Sequence, residues 1–291
     1  MAAYKGHRMN PDKFEKGQIK LYIFVIPLVL ITGLPIIFIL FHAFKPMEEL
    51  FAFPPKFITT HPTLDNFRNL FKASRSAGIP LSKYVFNSLL ITLVVVVSSI
   101  IISSGCAYAL SKLKFRGRKT LFKINQLALM FVPVAVMIPR YLVVEKFGLV
   151  DTYWSQILPL IPLPVALFLL KQFIDEVPDE LIEAAYMDGA TELHIFAKIV
   201  IPLSRPALAT AAILVFQQVW TNLEASNYYI NDESLKTLAF YMNTLTGASS
   251  NTVSGQGIAA AASLLMFLPN LILFCILQRH VMNTMAHSGI K

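Results

Sequence analysis

The stretch IDEVPDELIEAAYMDGATELHIFAKIVIPLSRP, residues 174–206, sits between two long apolar blocks and is itself acidic. Asp175, Glu176, Asp179, Glu180, Glu183, Asp188 and Glu192 outnumber Lys198 and Arg205, so the stretch reads as a solvated or partner-facing segment and not as a span. Pro178 suits a first helical position, and Asp179 with Glu180 complements the positive end of a helix dipole. These signals predict a short helix through Leu181, Ala184 and Ala185. Gly189 can take the left-handed conformation that closes a helix, after which Thr191 can cap a second helix reaching Val200 and stopped by Pro202. The product is helix, sharp turn, helix. Small residues at Ala184, Ala185 and Gly189 give the turn a shallow surface able to lie in a cleft of another protein, and its acidic rim complements a basic partner.

On either side of this stretch the chain is built for lipid. Of its 291 residues, 55% are hydrophobic and 14% charged, with a mean hydropathy of +0.60. Average soluble domains carry about 25% charged residues. Six segments have the length and apolarity to cross a bilayer, near 21–44, 85–110, 124–143, 153–173, 207–228 and 258–278. The first follows Lys13, Lys16 and Lys20, yet it is too long for a signal peptide and lacks a small-x-small exit, so it is expected to be retained. Pro133, Pro139, Pro159, Pro162 and Pro164 interrupt the third and fourth, which predicts kinks; these mark either plain bent helices or a neighbouring water-filled cavity. The expectation is an all-α integral membrane protein, a single transmembrane domain over 1–291 with six helices.

Charge sets the orientation. The connection SKLKFRGRKTLFK (111–123) holds Lys112, Lys114, Arg116, Arg118, Lys119 and Lys123 and no acid, which the positive-inside rule assigns to the cytoplasm. Both termini and the 174–206 loop then face the cytoplasm, and 45–84, 144–152 and 229–257 face outward. The 45–84 loop carries six Lys or Arg of its own, but long loops cross with less regard to charge. The net charge of +8 is therefore a topology signal and not a nucleic-acid surface. Cys106 and Cys275 both lie in apolar segments and behave as small hydrophobes.

With these residues in place a family resemblance emerges. Glu183-Ala184-Ala185, Asp188-Gly189-Ala190, Phe196, Ile199, Pro202-Leu203 and Pro206 resemble the EAA loop of ABC-importer permeases. Phe44-Lys45-Pro46, Pro54-Pro55 and Thr63-Leu64-Asp65-Asn66-Phe67 look like the first external loop of the maltose-type second permease of the carbohydrate branch. Ala107-Tyr108-Ala109-Leu110-Ser111-Lys112, Phe115-Arg116-Gly117, Ile138-Pro139-Arg140-Tyr141 and Gly148-Leu149-Val150-Asp151-Thr152 look like the same branch, while Trp220-Thr221-Asn222 departs from its spacing. The resemblance implies a type I ABC importer permease fold in the cell membrane. It implies that Glu183, Ala184, Ala185, Asp188, Gly189, Ala190 and Pro202 belong to a coupling helix docked in a cytoplasmic ATPase subunit. It further implies a homologous second permease, two ATPase subunits, an external substrate-binding protein that meets the outward 229–257 loop, and a tail, Asn283 to Lys291, reaching between the ATPases.

The remaining residues bear on what is carried. Segments two and six contain no ionisable residue, and the one deep candidate, Glu224, is a poor basis for proton coupling, so energy is expected from another chain. There is no G-x-x-x-x-G-K-[ST] phosphate loop; ATP and magnesium are expected on the partner subunits, and no cofactor in this one. His42, His61, His194, His280 and His287 make no paired ligand spacing, so no metal is assigned, and no catalytic arrangement is recognisable. Gln217, Trp220, Glu224 and Asn227 recur at helical steps, with Thr221 and Tyr228 beside them. This stripe is expected to line a sugar passage, or else to pack on the partner permease or sit at the outer interface. GASSNTVSGQG in the 229–257 loop reads either as a surface for the binding protein or as a flexible linker. Two alternatives stay open: a phosphorylated polyol or other small solute as cargo, and a secondary transporter that works without an ATPase.

Overall fold

A computed structural model of the chain describes residues 18–54, 56–76, 78–249 and 252–288, with side chains described as far as Gln278 except at 74–76, 248, 249 and 254. Lys13, Lys16, Pro55, Ser250 and Asn251 lie outside the described residues, as do His280, His287 and the Asn283 to Lys291 tail apart from backbone as far as Ser288. The described elements are all helical: α1 (Ile19–Ala43), α2 (Met47–Leu50), α3 (Asp65–Ser76), α4 (Leu81–Lys112), α5 (Arg118–Ala128), α6 (Pro133–Lys146), α7 (Tyr153–Ile157) and α8 (Pro164–Asp175). Then follow α9 (Asp179–Met187), α10 (Glu192–Ile195), α11 (Ile201–Leu203), α12 (Arg205–Trp220), α13 (Glu224–Tyr228), α14 (Leu238–Ser249) and α15 (Val253–Ser288). Four stretches are long and apolar enough to cross a membrane, and six if each of two bent pairs counts as one span.

The bends fall where proline and backbone geometry dictate. The span expected near 124–143 is two helices meeting at 111°. Val132 is extended, as a residue before proline prefers, and Pro133 opens α6 from a first-turn position where its missing N–H costs nothing. The fourth span runs from α7 through a 3-10 turn at Leu158–Leu160 to α8, which starts at Pro164 behind an extended Leu163. Between Leu203 and Arg205 the chain turns by 80°.

Within the larger unit, Phe71–Ala248 with Leu265–Lys291, α4 packs against α8 and α12. The buried face of α4 contains Asn87, Ser88, Ile91, Thr92, Val95, Ser99, Ser103, Ala107 and Tyr108, recurring at three- and four-residue steps. Ser99 on α4, Ala166 on α8, and Ala207 and Ala211 on α12 are fully buried. Lipid gives helices no hydrophobic reason to associate, so small side chains that let backbones approach and gain dispersion contacts decide which faces meet.

The smaller unit comprises residues 1–70 and 249–264. Asn66 closes the end of α1: its Nδ2 donates to the carbonyls of Ala43 at 3.1 Å and Lys45 at 2.8 Å, groups that a helix terminus leaves unsatisfied. Asn66 is pressed so closely against Gly257 that a Cβ there would stand 2.5 Å from its Oδ1. The following loop folds around Glu49. Its carboxylate accepts from Thr59 Oγ1 at 2.8 Å, from Thr60 Oγ1, and from the N–H groups of Thr60 and His61, each at 3.1 Å.

These donors favour the ionised form, chiefly through the Thr60 hydroxyl, and hold the Glu49 carboxyl at about 2 against an ordinary 4.5. A depressed folded value contributes stability that is present above the unfolded value and lost as pH falls through the folded one. Limited proteolysis at residues 49–61 should thus stay at its neutral-pH rate down to about 4.5 and rise toward pH 2. Glu49→Gln should show the raised rate already at pH 7; a variant as resistant as the parent would remove Glu49 as the loop's organiser.

Candidate functional site

The acidic stretch at 174–206 folds into a helix, a turn and a second helix. In α9, Ile182 and Ala185 are buried while Glu183 and Ala184 are exposed. Gly189 closes α9 at a φ of +80°, and Ala190 N–H returns to the Ala185 carbonyl at 3.0 Å. Thr191 caps the next helix, its Oγ1 accepting from His194 N–H at 3.4 Å. Expected to stop at Pro202, this helix instead continues to Leu203. Phe196–Val200 forms a π-helical turn, whose wider hydrogen-bond ring relieves the clash of a proline with the carbonyl four residues back. Ile195 and Val200 on its inner side are fully buried.

Two side chains of α4 tie this device down. Tyr108 Oη donates to Glu192 Oε2 at 2.6 Å, Tyr186 Oη donates to the other oxygen, and the Tyr108 and Phe196 rings lie 5.3 Å apart. Lys112 Nζ donates to the Val177 carbonyl at 2.5 Å and to Asp179 Oδ1 at 2.7 Å. Lys112 is nearly buried while Asp179 is 75% exposed, and the Lys112 ammonium pulls the Asp179 carboxyl below its usual range. In the sequence Lys112 reads as a topology residue and Tyr108 as part of a motif; their grip on the loop was not legible. The turn also has an apolar tip, with Met187 88% exposed and Leu193 75% exposed. Beside a shallow glycine turn, two projecting apolar side chains are what a cleft would cover.

The polar stripe at 217–228 differs from expectation. It is not one helix face, because α12 ends at Trp220 and a second short helix, α13, begins at Glu224. Trp220 turns inward: its Nε1 donates to the Met266 carbonyl at 3.1 Å, and its ring walls an apolar cavity of about 650 Å³ with Phe86, Leu89, Met242 and Leu265. Glu224 is engaged as well, its Oε1 accepting from Arg140 Nη1 at 2.9 Å and from Tyr229 Oη at 2.8 Å. Gln217, Thr221, Asn227 and Tyr228 remain exposed. Arg140, noted in the sequence only as part of a motif, is thus the partner of the deep carboxylate, 84 positions away.

Beyond α13 the irregular segment up to Leu238 is fastened to other elements by side-chain hydrogen bonds. Asn87 Nδ2 donates to the carbonyls of Ser234 at 2.8 Å and Lys236 at 2.9 Å while its Oδ1 accepts from Tyr153 Oη at 2.8 Å. Gln156 Nε2 donates to the Leu235 carbonyl at 2.9 Å, and Ser88 Oγ accepts from Leu238 N–H at 2.7 Å. Asp151, at a φ of +64°, takes the N–H groups of Asn231 and Asp232 on one oxygen, each at 2.9 Å. Leu238–Ser249 then forms α14, so about half of the 229–257 stretch is helix. Among the described residues no group of His, Cys, Asp and Glu could hold a metal ion.

Two tests follow from this geometry. Asn87→Leu strands two backbone acceptors and a tyrosine hydroxyl, at about 1–3 kcal/mol for each group left unsatisfied, and should lower the unfolding temperature measured in detergent. Arg140→Ala should weaken the protein by about 1.5–3 kcal/mol, the range for hydrogen bonds to charged groups. The exchanged pair Arg140→Glu with Glu224→Arg should recover part of that loss, and an exchange no better than the single changes would refute the pairing.

Comparison with known proteins places the chain. Residues 99–283 match the family described as "Binding-protein-dependent transport system inner membrane component". The protein LplC of Bacillus subtilis is 32% identical over 280 residues, covering 90% of each chain. An arabinooligosaccharides transport system permease of Halalkalibacterium halodurans is 33% identical over 267 residues, covering 90% of this chain and 92% of its own. A chain from the crystal structure of a bacterial ABC transporter that imports the acidic polysaccharide alginate superposes with a TM-score of 0.75 at 22% identity, over 92% of this chain and 98% of that one. That likeness gives the fold, an ABC-importer permease. The chain belongs to the binding-protein-dependent transport system inner membrane components: it is a multi-pass membrane transport subunit and not an enzyme.

Proposed function

We propose that this chain is one of two related permease subunits forming the passage of an ATP-driven carbohydrate importer, with both termini in the cytoplasm. The 178–203 device docks into a cytoplasmic ATPase subunit, and the outward side receives a solute-loaded binding protein. Carbohydrate as cargo is supported by the relatives, which include permeases for arabinooligosaccharides and for trehalose. ATP and magnesium belong to the partner subunits. Gln217, Thr221, Asn227 and Tyr228 are the exposed residues of the stripe that would meet solute hydroxyls, Thr221 as an acceptor while its own hydroxyl donates to the Gln217 carbonyl at 2.7 Å.

The observation that carries this reading is the coupling of a protruding tip to a rigid mount. Glu183, Ala184, Asp188 and Gly189 face outward around Met187 and Leu193, so a partner can cover them. The same segment is fastened to α4 by Lys112 and Tyr108, and its inner residues Ile182, Ala185, Ile195 and Val200 belong to the main core. A push on the tip moves α4 instead of bending the turn.

The test replaces parts of the tip without touching the mount. Gly189→Val places a β-branched residue at positive φ, which costs on the order of 1–3 kcal/mol of local strain, and Met187→Glu puts a charge where the cleft would be apolar. Either change should leave membrane insertion and subunit association intact. Binding-protein-stimulated ATP hydrolysis by the assembled transporter should fall by on the order of tenfold, the equivalent of about 1.4 kcal/mol of coupling. Stimulation equal to that of the parent would overturn the docking assignment.

A further inference from the structure

A second concave site lies where α4, α5 and α8 meet, sharing no lining residue with the docking tip or the stripe. It has a volume of about 700 Å³ and is lined by Lys114, Phe115, Arg118, Lys119, Phe122 and Lys171, with the backbone of Gly117. Gly117 adopts a φ of +92°, which reverses the chain between α4 and α5 and brings the basic residues of 114–119 to one rim. The floor is Lys171 on α8, whose Nζ pairs with Asp175 at 2.5 Å and stands 4.4 Å from the centre of the Phe122 ring.

The site has more positive charge than the protein neutralises. Arg118 uses Nη1 on the Leu113 carbonyl at 3.2 Å, which leaves its other donors for a ligand. Among the described residues neither Lys114 nor Lys119 takes part in an ion pair. Asp179 feels the charge of Lys114 and Arg118 but is already bound by Lys112. Four cations against the one acid on Lys171 leave an excess that calls for an anion.

The apolar surroundings say which kind. Leu110, at the last turns of the apolar α4, closes one side, and Lys171 stands near the end of the apolar α8. From the rim, Leu121, Ile124 and Leu127 run along α5 at three-residue steps and are each at least half exposed. A basic pocket at the ends of spanning helices, continued by an exposed apolar strip, matches a molecule with an anionic phosphate head and a hydrocarbon chain.

We propose that this pocket binds the phosphate of an anionic membrane phospholipid, with an acyl chain laid along Leu121, Ile124 and Leu127. The proposal rests on the orientation given above, which puts the 111–123 connection on the cytoplasmic side. Its role is to fix the α4–α5 corner, on the same helix that carries Tyr108 and Lys112. The shared chemistry is a phosphate anion, so free phosphate is the other source to be separated.

The assembled transporter, purified in detergent and delipidated, would be offered phosphatidylglycerol, phosphatidylcholine or inorganic phosphate, and retained lipid counted by native mass spectrometry. Wild type should retain phosphatidylglycerol in preference to phosphatidylcholine. In Lys114→Gln/Arg118→Gln/Lys119→Gln, at about fivefold per cation, phosphatidylglycerol retention should fall by on the order of 100-fold. Lys114→Arg/Lys119→Arg should keep the preference, which separates charge from misfolding. Equal retention of both lipids by wild type, or an unchanged preference in the triple glutamine variant, would overturn the proposal. Displacement of phosphatidylglycerol by millimolar inorganic phosphate would overturn the lipid assignment in favour of free phosphate. Because retention is read without nucleotide or binding protein, it stands or falls independently of ATPase docking; labelling of an introduced cysteine at 119 from one side of sealed vesicles tests the orientation by itself.

Discussion

In hydrocarbon a backbone N–H or C=O has no water to turn to, so each interruption of a spanning helix must be answered by another part of the protein. This chain interrupts its helices repeatedly, at Leu129–Val132, at Leu158–Leu163, at Ser204 and at Thr221–Leu223. Polar side chains, buried or half-buried, sit beside several of those interruptions. Asn125 Nδ2 donates to the Pro164 carbonyl at 3.1 Å, beside the break before α8. Asn222 Oδ1 accepts the Ala225 N–H at 3.0 Å in the first turn of α13, and Gln156 receives Ser226 Oγ at 3.1 Å. Without such partners the broken spans would be costly to insert.

The answers converge on α4. At 32 residues and about 1.5 Å per residue it is roughly 48 Å long, enough to cross a bilayer and project beyond it. Near one end Asn87 and Ser88 hold the 234–238 backbone; near the other Tyr108 and Lys112 hold the 177–192 segment. Between them one face of the helix is buried, with Val95 and Ser99 fully so, while Leu93, Val97 and Ile101 on the other face are exposed. A helix pinned at both ends and close-packed in the middle passes displacement along its length, since packed interiors shift as units instead of deforming.

Local chemistry explains what could be read in advance. Gly189 followed by Thr191 announces a helix stop and a cap because both depend on backbone preferences of one or two residues, and each takes that conformation. Pro133 and Pro164, read as interruptions of their spans, stand at the first positions of α6 and α8, just after the breaks. Periodicity failed at 217–228 because it assumes an unbroken helix, and Thr221 is where that assumption fails. Pro202 failed as a stop because a π turn upstream accommodates it. The pairings that define the site, Arg140 with Glu224 and Asn87 with Lys236, are separated by 84 and 149 positions, and no local pattern encodes them. The exposure of Met187 and Leu193 is likewise a product of the fold, with no local signal in the sequence to announce it.

The pairing of Glu224 also bears on what the proposed passage can carry. A carboxylate held by Arg140 and Tyr229 offers a solute little free charge, and Trp220 is committed to the Met266 carbonyl. The exposed remainder, Gln217, Thr221, Asn227 and Tyr228, consists of neutral amides and hydroxyls. Such groups exchange hydrogen bonds with a polyhydroxyl solute at little net free energy, because each bond made replaces one to water. An anionic solute would find no cation among them to offset its lost hydration. A proposed passage lined by such groups favours uncharged cargo.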